Sequence, residues 1–212
     1  MAIAYTVNGN DFTSLGVYVT SSAGLVNALK RKEGSKYDWR EYHGEVVDLS
    51  LPRFEARDIT LECLLRASSS FDLLEKFGAF TELWDRAGLQ RLTVTIHPEK
   101  PLIYDVYRIE EVRLEREQGA GITYGTFTLK LREPEPLKRV LRHTCTNPEL
   151  PCTITSKGEA LLTAGWGDGV YDSTYGHTVS HRYAKSVIYY VTLSGADTVI
   201  LDAGTVEVWR RL

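Results

Sequence analysis

Only one stretch of this 212-residue chain carries a helical pattern, and nearly everything around it alternates. From residue 68 the chain reads Ser68-Ser69-Ser70-Phe71-Asp72-Leu73-Leu74-Glu75-Lys76-Phe77-Gly78-Ala79-Phe80-Thr81-Glu82-Leu83-Trp84, a serine cap followed by apolar residues at 73, 74, 77, 80, 83 and 84. Recurrence at three and four is one face of a helix, and Gly88 stops it. Around it, Tyr5-Thr6-Val7, Val17-Tyr18-Val19, Val46-Val47-Asp48-Leu49 and residues 59–64, 92–96, 104–114 and 126–131 are β-branched and aromatic at period two. A meander of such strands with a single helix predicts a sheet curled around that helix or packed against it, with Leu73, Phe77, Phe80 and Trp84 filling the space between.

The alternation ends at Arg132-Glu133-Pro134-Glu135-Pro136, where proline cannot donate to a ladder. This predicts a domain boundary, with one module over residues 1–133 and another over 137–212. Shorter strand candidates at 152–155, 160–163, 188–193, 198–201 and 206–209, with turn residues between them, fit a small β-sandwich. Charge does not single out either half: 17 basic and 20 acidic residues precede Glu135, and 8 of each follow from there.

Net charge is -3, and no basic run is longer than Lys30-Arg31-Lys32, which argues against nucleic acid as a partner. No apolar run approaches the roughly 18 residues of a membrane helix. Met1-Ala2-Ile3-Ala4-Tyr5-Thr6 lacks the basic and apolar regions of a secretory signal, so the chain is expected to begin inside a cell. Of three cysteines, Cys63 falls on an apolar strand and reads as core. Cys145 and Cys152 enclose a proline-bent loop that fits either two free thiols or a disulfide.

No segment carries the pattern of a known catalytic motif, and no cofactor is expected. Gly165-Trp166-Gly167-Asp168-Gly169 reads as a tight turn, since three glycines permit positive φ and Asp168 can accept from the N–H groups downstream; the lysine and helix of a phosphate loop do not follow. Asp168, His177 and His181 are nominally a metal triad. In a turn-and-strand context, however, the two histidines lie about 13 Å apart, and His181 beside Tyr183 suits a turn-bonding role better. Arg108, Glu110, Glu111, Arg113, Glu115, Arg116 and Glu117 alternate in sign, as on a solvated face or an intersubunit ladder. Trp166, Tyr171, Tyr175 and Trp209 are candidates for stacking on sugar faces.

Two family resemblances rest on particular residues. Asn8-Gly9-Asn10-Asp11-Phe12, Leu15-Gly16-Val17, Lys30-Arg31-Lys32, Tyr37-Asp38-Trp39, His43-Gly44-Glu45-Val46-Val47-Asp48-Leu49 and Arg57-Asp58-Ile59-Thr60-Leu61 resemble the amino-terminal domain of phage distal tail proteins and related prophage proteins. Trp166-Gly167-Asp168-Gly169, His181-Arg182-Tyr183 and Tyr189-Tyr190-Val191-Thr192-Leu193 are similar to the PKD-type immunoglobulin-like domain, although Val187 stands where that family has glycine.

Together these resemblances imply a mainly β protein: a tail-tube-like β-sandwich or barrel with one helix, then a small immunoglobulin-type sandwich. They imply a non-catalytic virion structural protein, a ring, usually hexameric, between tail tube and baseplate hub. It would be made in the host cytoplasm, carried in the virion tail, and partnered by copies of itself and other tail proteins. Arg108, Glu111, Arg113, Glu115 and Arg116 are the expected oligomer interface, because ring closure is head to tail and suits mixed-sign rims. The alternative is an accessory module that binds a cell-surface glycan or receptor through Trp166, Tyr171, Tyr175 and Trp209. A metal-dependent hydrolase on Asp168, His177 and His181 is a third reading.

Overall fold

Period-two alternation gives a strand one buried face, and the long strands of the first half show this directly: along Arg57–Ala67 every second residue is buried, from Arg57 through Ile59, Leu61, Cys63 and Leu65. The computed structural model describes all residues except 1, 2, 35, 42, 45, 49, 120, 121, 158–160 and 197, and only the backbone of 117–119 and 122. Leu49 and Ala160, ends of two expected strands, and the Glu117 side chain therefore lie outside the description.

The first half contains β1 (Ala4–Val7), β2 (Asn10–Asp11), a 3-10 helix (Phe12–Leu15), β3 (Val17–Ala23), β4 (Lys36–Tyr37), β5 (Val46–Val47), β6 (Arg57–Ala67), α1 (Ser70–Glu82), β7 (Gln90–Thr95), β8 (Leu102–Arg108), β9 (Glu115–Gly119) and β10 (Ile122–Glu133). The strands run in the order β2-β1-β7-β8-β10-β6-β3, with β9 added to β10. Between β6 and β10 the ladder is continuous from Thr123↔Ala67 to Glu133↔Arg57, whereas β8 is paired with β10 over the short register Leu131↔Arg108 and Arg132↔Tyr107. At that narrow junction the sheet turns over on itself and encloses the core.

Helix α1 plugs this enclosure. Ser69 caps it, its hydroxyl accepting from the Asp72 amide at 3.1 Å. Amide and hydroxyl bonds from Ser68 and the Lys76 ammonium hold the Asp72 carboxyl down at about 2. Leu73 and Phe80 are fully buried, and the Phe80 ring lies 5.0 Å from Phe12 and 5.4 Å from Phe127. Leu74, counted in the apolar stripe, is on the solvent side with Phe71. The expected strand over 104–114 is two elements. β8 ends at Arg108, and β9 folds back onto β10 because Gly125 leaves room for Leu114, whose Cδ1 would lie 2.7 Å from any added Cβ.

The second half contains β11 (Lys138–Thr144), β12 (Cys152–Lys157), β13 (Leu162–Gly165), β14 (Tyr171–Thr174), β15 (Thr178–His181), β16 (Ile188–Ser194), β17 (Thr198–Leu201) and β18 (Thr205–Trp209). Sheets β14-β13-β16-β11-β18 and β15-β12-β17 enclose a second core around Leu141, Ile154, Trp166, Val179, Val191 and Leu193. The protein is thus mainly β, with a sandwich in its second half. Strand β11, absent from the sequence expectation, pairs with both β16 and β18.

All three cysteines are free and buried, and burial pushes the Cys63 thiol up to about 12. Iodoacetamide at pH 8 is expected to label none of them in the native protein and all three in guanidinium, with mass spectrometry as the readout. Prompt labelling of native Cys145 or Cys152 would contradict this packing.

Candidate functional site

The most organised polar constellation joins the two halves. Arg91 on β7 and Asp105 on β8 are cross-strand partners and form a bidentate pair, Nε to Oδ1 at 2.7 Å and Nη2 to Oδ2 at 2.9 Å. The same guanidinium reaches the second half, where Nη1 donates to the Tyr190 carbonyl at 2.5 Å and Nη2 to Thr192 Oγ1 at 2.9 Å. Thr192 Oγ1 donates in turn to Asp105 Oδ2 at 2.6 Å, and the Tyr171 hydroxyl donates to Oδ1 at 3.0 Å. Burial alone would raise the Asp105 carboxyl, but Arg91, Lys138 and the Thr192 bond outweigh it and hold the group below the usual carboxylate range.

The glycines around Trp166 make room for this guanidinium. A Cβ on Gly165 would lie 2.6 Å from Thr192 Oγ1 and 2.7 Å from Arg91 Nη2, and one on Gly167, at φ 92°, would lie 2.7 Å from the Tyr190 carbonyl. The turn read from sequence is therefore also the seat of a residue from the other half.

Beside it lies a second charged cluster. Lys138, the first residue of β11, bonds Glu133, the last of β10, and Arg57 Nε stands 3.6 Å from the other Glu133 oxygen. All three side chains are at most 6% exposed. Both cations face the Tyr104 ring, at 4.9 and 5.3 Å, and the Tyr104 hydroxyl and Arg57 Nη1 donate to the Leu25 carbonyl. Burial pulls the Lys138 ammonium below the ordinary lysine range, with Asp105 opposing. Trp209 adds another link, its indole N–H donating to the Pro101 carbonyl at 2.9 Å. Lys138 and Glu133 are bonded to each other, while Arg57 Nε and the second Glu133 oxygen face one another beyond hydrogen-bond reach.

The expected sugar-stacking residues are dispersed. Trp166 is corrected outright: it is fully buried, its indole N–H donates to Asp172 at 2.6 Å, and His181 stacks on it at 5.1 Å, so it has no face to offer a ligand. Tyr171 is part-exposed but spends its hydroxyl on Asp105; Trp209 is partly buried under Lys100; Tyr175 is 83% exposed. A cleft of about 500 Å³ between the halves is lined by Arg86, Gln90, Asp168, Tyr171, Tyr189 and Tyr190, and so includes only Tyr171 of the four. Nor do the metal candidates gather. His181 bonds Asp168 at 2.6 Å, while the His177 carbonyl accepts from the Ser156 amide, and no group of three ligating side chains is placed to hold a metal ion among the described residues.

The candidate interface residues lie along one rim. Arg108 pairs with Asp85 at 2.7 Å, Arg113 with Glu111 at 3.4 Å, and Glu115 and Arg116 are exposed on β9. Glu111, Arg113 and Glu115, with Glu62, Glu110 and Lys130, border a groove of about 720 Å³ over the outer face of β6 and β10. Sequence reading missed the connection from β3 to β6, which is an arm over residues 24–56. Val26, Tyr37, Trp39, Val46 and Leu51 are exposed on it. Their only signal in sequence is aromatic and apolar residues set among balanced charges without a periodicity that would bury them.

The fold is similar to that of a solved phage protein. Among solved structures, the Dit protein of SPP1, described as a paradigm of the hub adsorption apparatus in phages that infect Gram-positive bacteria, matches this chain with a TM-score of 0.54 at 13% identity. The match covers 94% of this chain and 97% of that one, so both halves belong to the shared fold. No protein-family model and no curated protein matches the sequence. The PKD-type likeness of the second half therefore remains a likeness of residues alone.

Proposed function

We propose that this protein is a structural, non-catalytic component of a phage or prophage tail tip, closing into a ring, six-membered by the family's usual symmetry, between tail tube and baseplate hub. The observation that carries the reading is the correspondence with a hub protein over 94% of this chain, which includes the second half. We also propose that residues 1–133 form the ring-building domain and 137–212 a peripheral sandwich, fastened by Arg91 and Lys138 so that the two move together. Copies assemble in the host cytoplasm and are carried in the virion tail with other tail proteins.

Two features support a head-to-tail assembly: a rim of mixed charge from Arg108 to Arg116 and an exposed apolar arm elsewhere on the same molecule, two unlike surfaces such as heterologous contacts need. Negative-stain images of concentrated protein are expected to show closed rings of uniform diameter. A field of single particles, with or without a tube fragment added as template, would refute the proposal.

A further inference from the structure

The buried pair at the joint brings an amine and a carboxyl together under conditions that favour a covalent bond. Glu133 ends β10 as the ladder partner of Arg57, and Lys138 opens β11 as the ladder partner of Ser194, so each is held by a sheet. Their side chains bond each other and are 1% and 2% exposed, and the Tyr104 ring lies 4.9 Å from the ammonium. Backbone fixed on both sides keeps nucleophile and carboxyl in contact, which removes the entropic barrier to a condensation.

The local charges do not balance. Three cations, Arg57, Arg91 and Lys138, are buried with two carboxylates, Glu133 and Asp105. Arg91 and Asp105 satisfy each other, whereas Glu133 faces two cations and bonds one: its Oε2 has no hydrogen-bond partner, nor has Arg57 Nε 3.6 Å away. Burial, with Arg57 and Arg91 nearby, pulls the Lys138 ammonium down to about 7 although Asp105 opposes. The neutral amine thus favoured is the nucleophilic form of lysine. Beside the pair is a cavity of about 90 Å³, lined by Asp105, Glu133, Glu135, Lys138, Tyr171 and Thr192. It has room for a released water, whose share of liquid volume is about 30 Å³.

We infer that Lys138 and Glu133 condense into an intramolecular amide, Nζ to Cδ, with loss of one water. The pair carries every atom the step needs. One proton passes from Nζ to Oε1, leaving a neutral amine and a neutral acid, and the Nζ lone pair attacks Cδ. Negative charge then gathers on Oε2 opposite Arg57 Nε, which gains there the acceptor it lacks in the ion pair. A second Nζ proton leaves with Oε1 as water, and the amide keeps one N–H and the Oε2 carbonyl. Two buried ions become one neutral group, so the burial that makes the pair costly drives the condensation forward. The ring closed over residues 133–138 is short and adds little through chain entropy. Its consequence is mechanical: tension between β10 and β11 bypasses residues 134–137, and acid or salt no longer parts Lys138 from Glu133. The bond forms within one chain and needs no ring of copies.

The test is the intact mass of the denatured full chain. Wild type is expected one water, about 18 Da, below the mass of its sequence, counted with or without Met1. After trypsin, the peptide from Glu133 should run through an uncleaved Lys138 to Arg139 and carry the same deficit, because an amidated lysine is not a cleavage site. Lys138→Arg keeps the positive charge without the amine and is expected at its full sequence mass; the wild-type peptide map decides the matter even where this variant folds poorly. Wild type that stays at its full sequence mass after prolonged incubation in the folded state would overturn the inference. So would a deficit that maps outside residues 133–139, or one that persists in Lys138→Arg.

Discussion

Glu133→Ala is expected to cost about 3–5 kcal/mol of stability, because it removes the carboxylate that bonds Lys138 and faces Arg57 in a site that admits almost no water. The two cations left behind are 2% and 6% exposed and stand over one tyrosine ring, so neither can reach solvent without opening the joint between the halves. Urea unfolding gives the number through its midpoint. The companion variant, Glu133→Leu with Lys138→Met, removes both charges and is expected to recover most of the loss, since apolar replacement of a buried pair is often near neutral. A single variant as stable as wild type would mean that water reaches this cluster.

Phe80→Ala is expected to cost a similar amount, about 3–5 kcal/mol, by a different route. The ring is fully buried and contacts Phe12, Trp84 and Phe127, which belong to the 3-10 helix, the segment after α1 and β10. Truncation leaves a cavity that these rings cannot all collapse into. The conservative Phe80→Leu should cost markedly less in the same denaturation series. Equal losses for alanine and leucine would show that edge-to-face geometry, and not volume, holds the plug.

The two sites also mark what the sequence discloses and what it hides. Phe80 is legible because helical periodicity is local: Leu73, Phe77, Phe80 and Trp84 announce a buried face within a few turns. The alternation of β6 and β10 is legible for the same reason, but their pairing with each other is not. Lys138 is not, since Lys138-Arg139-Val140-Leu141-Arg142-His143 resembles a solvated segment until Glu133, Glu207 and Thr205 are brought to it from elsewhere in the chain. Trp166 shows the same limit at the candidate site. Its glycines correctly signal a turn, but Gly165 and Gly167 also make way for Arg91, Thr192 and the Tyr190 carbonyl, which lie far off in sequence and approach only in the fold. The connection over 24–56 was hidden for the opposite reason: apart from Leu25 and Phe54 its apolar residues are largely exposed, and exposed residues leave no periodic trace.

Light scattering across a wide concentration range, at near-physiological salt, tests the central claim most directly. The account predicts a closed oligomer whose mass is six times the 23.9 kDa chain and does not grow further with concentration. A mass that stays at 23.9 kDa at the highest concentration, or one that rises without limit as an open filament would, contradicts it.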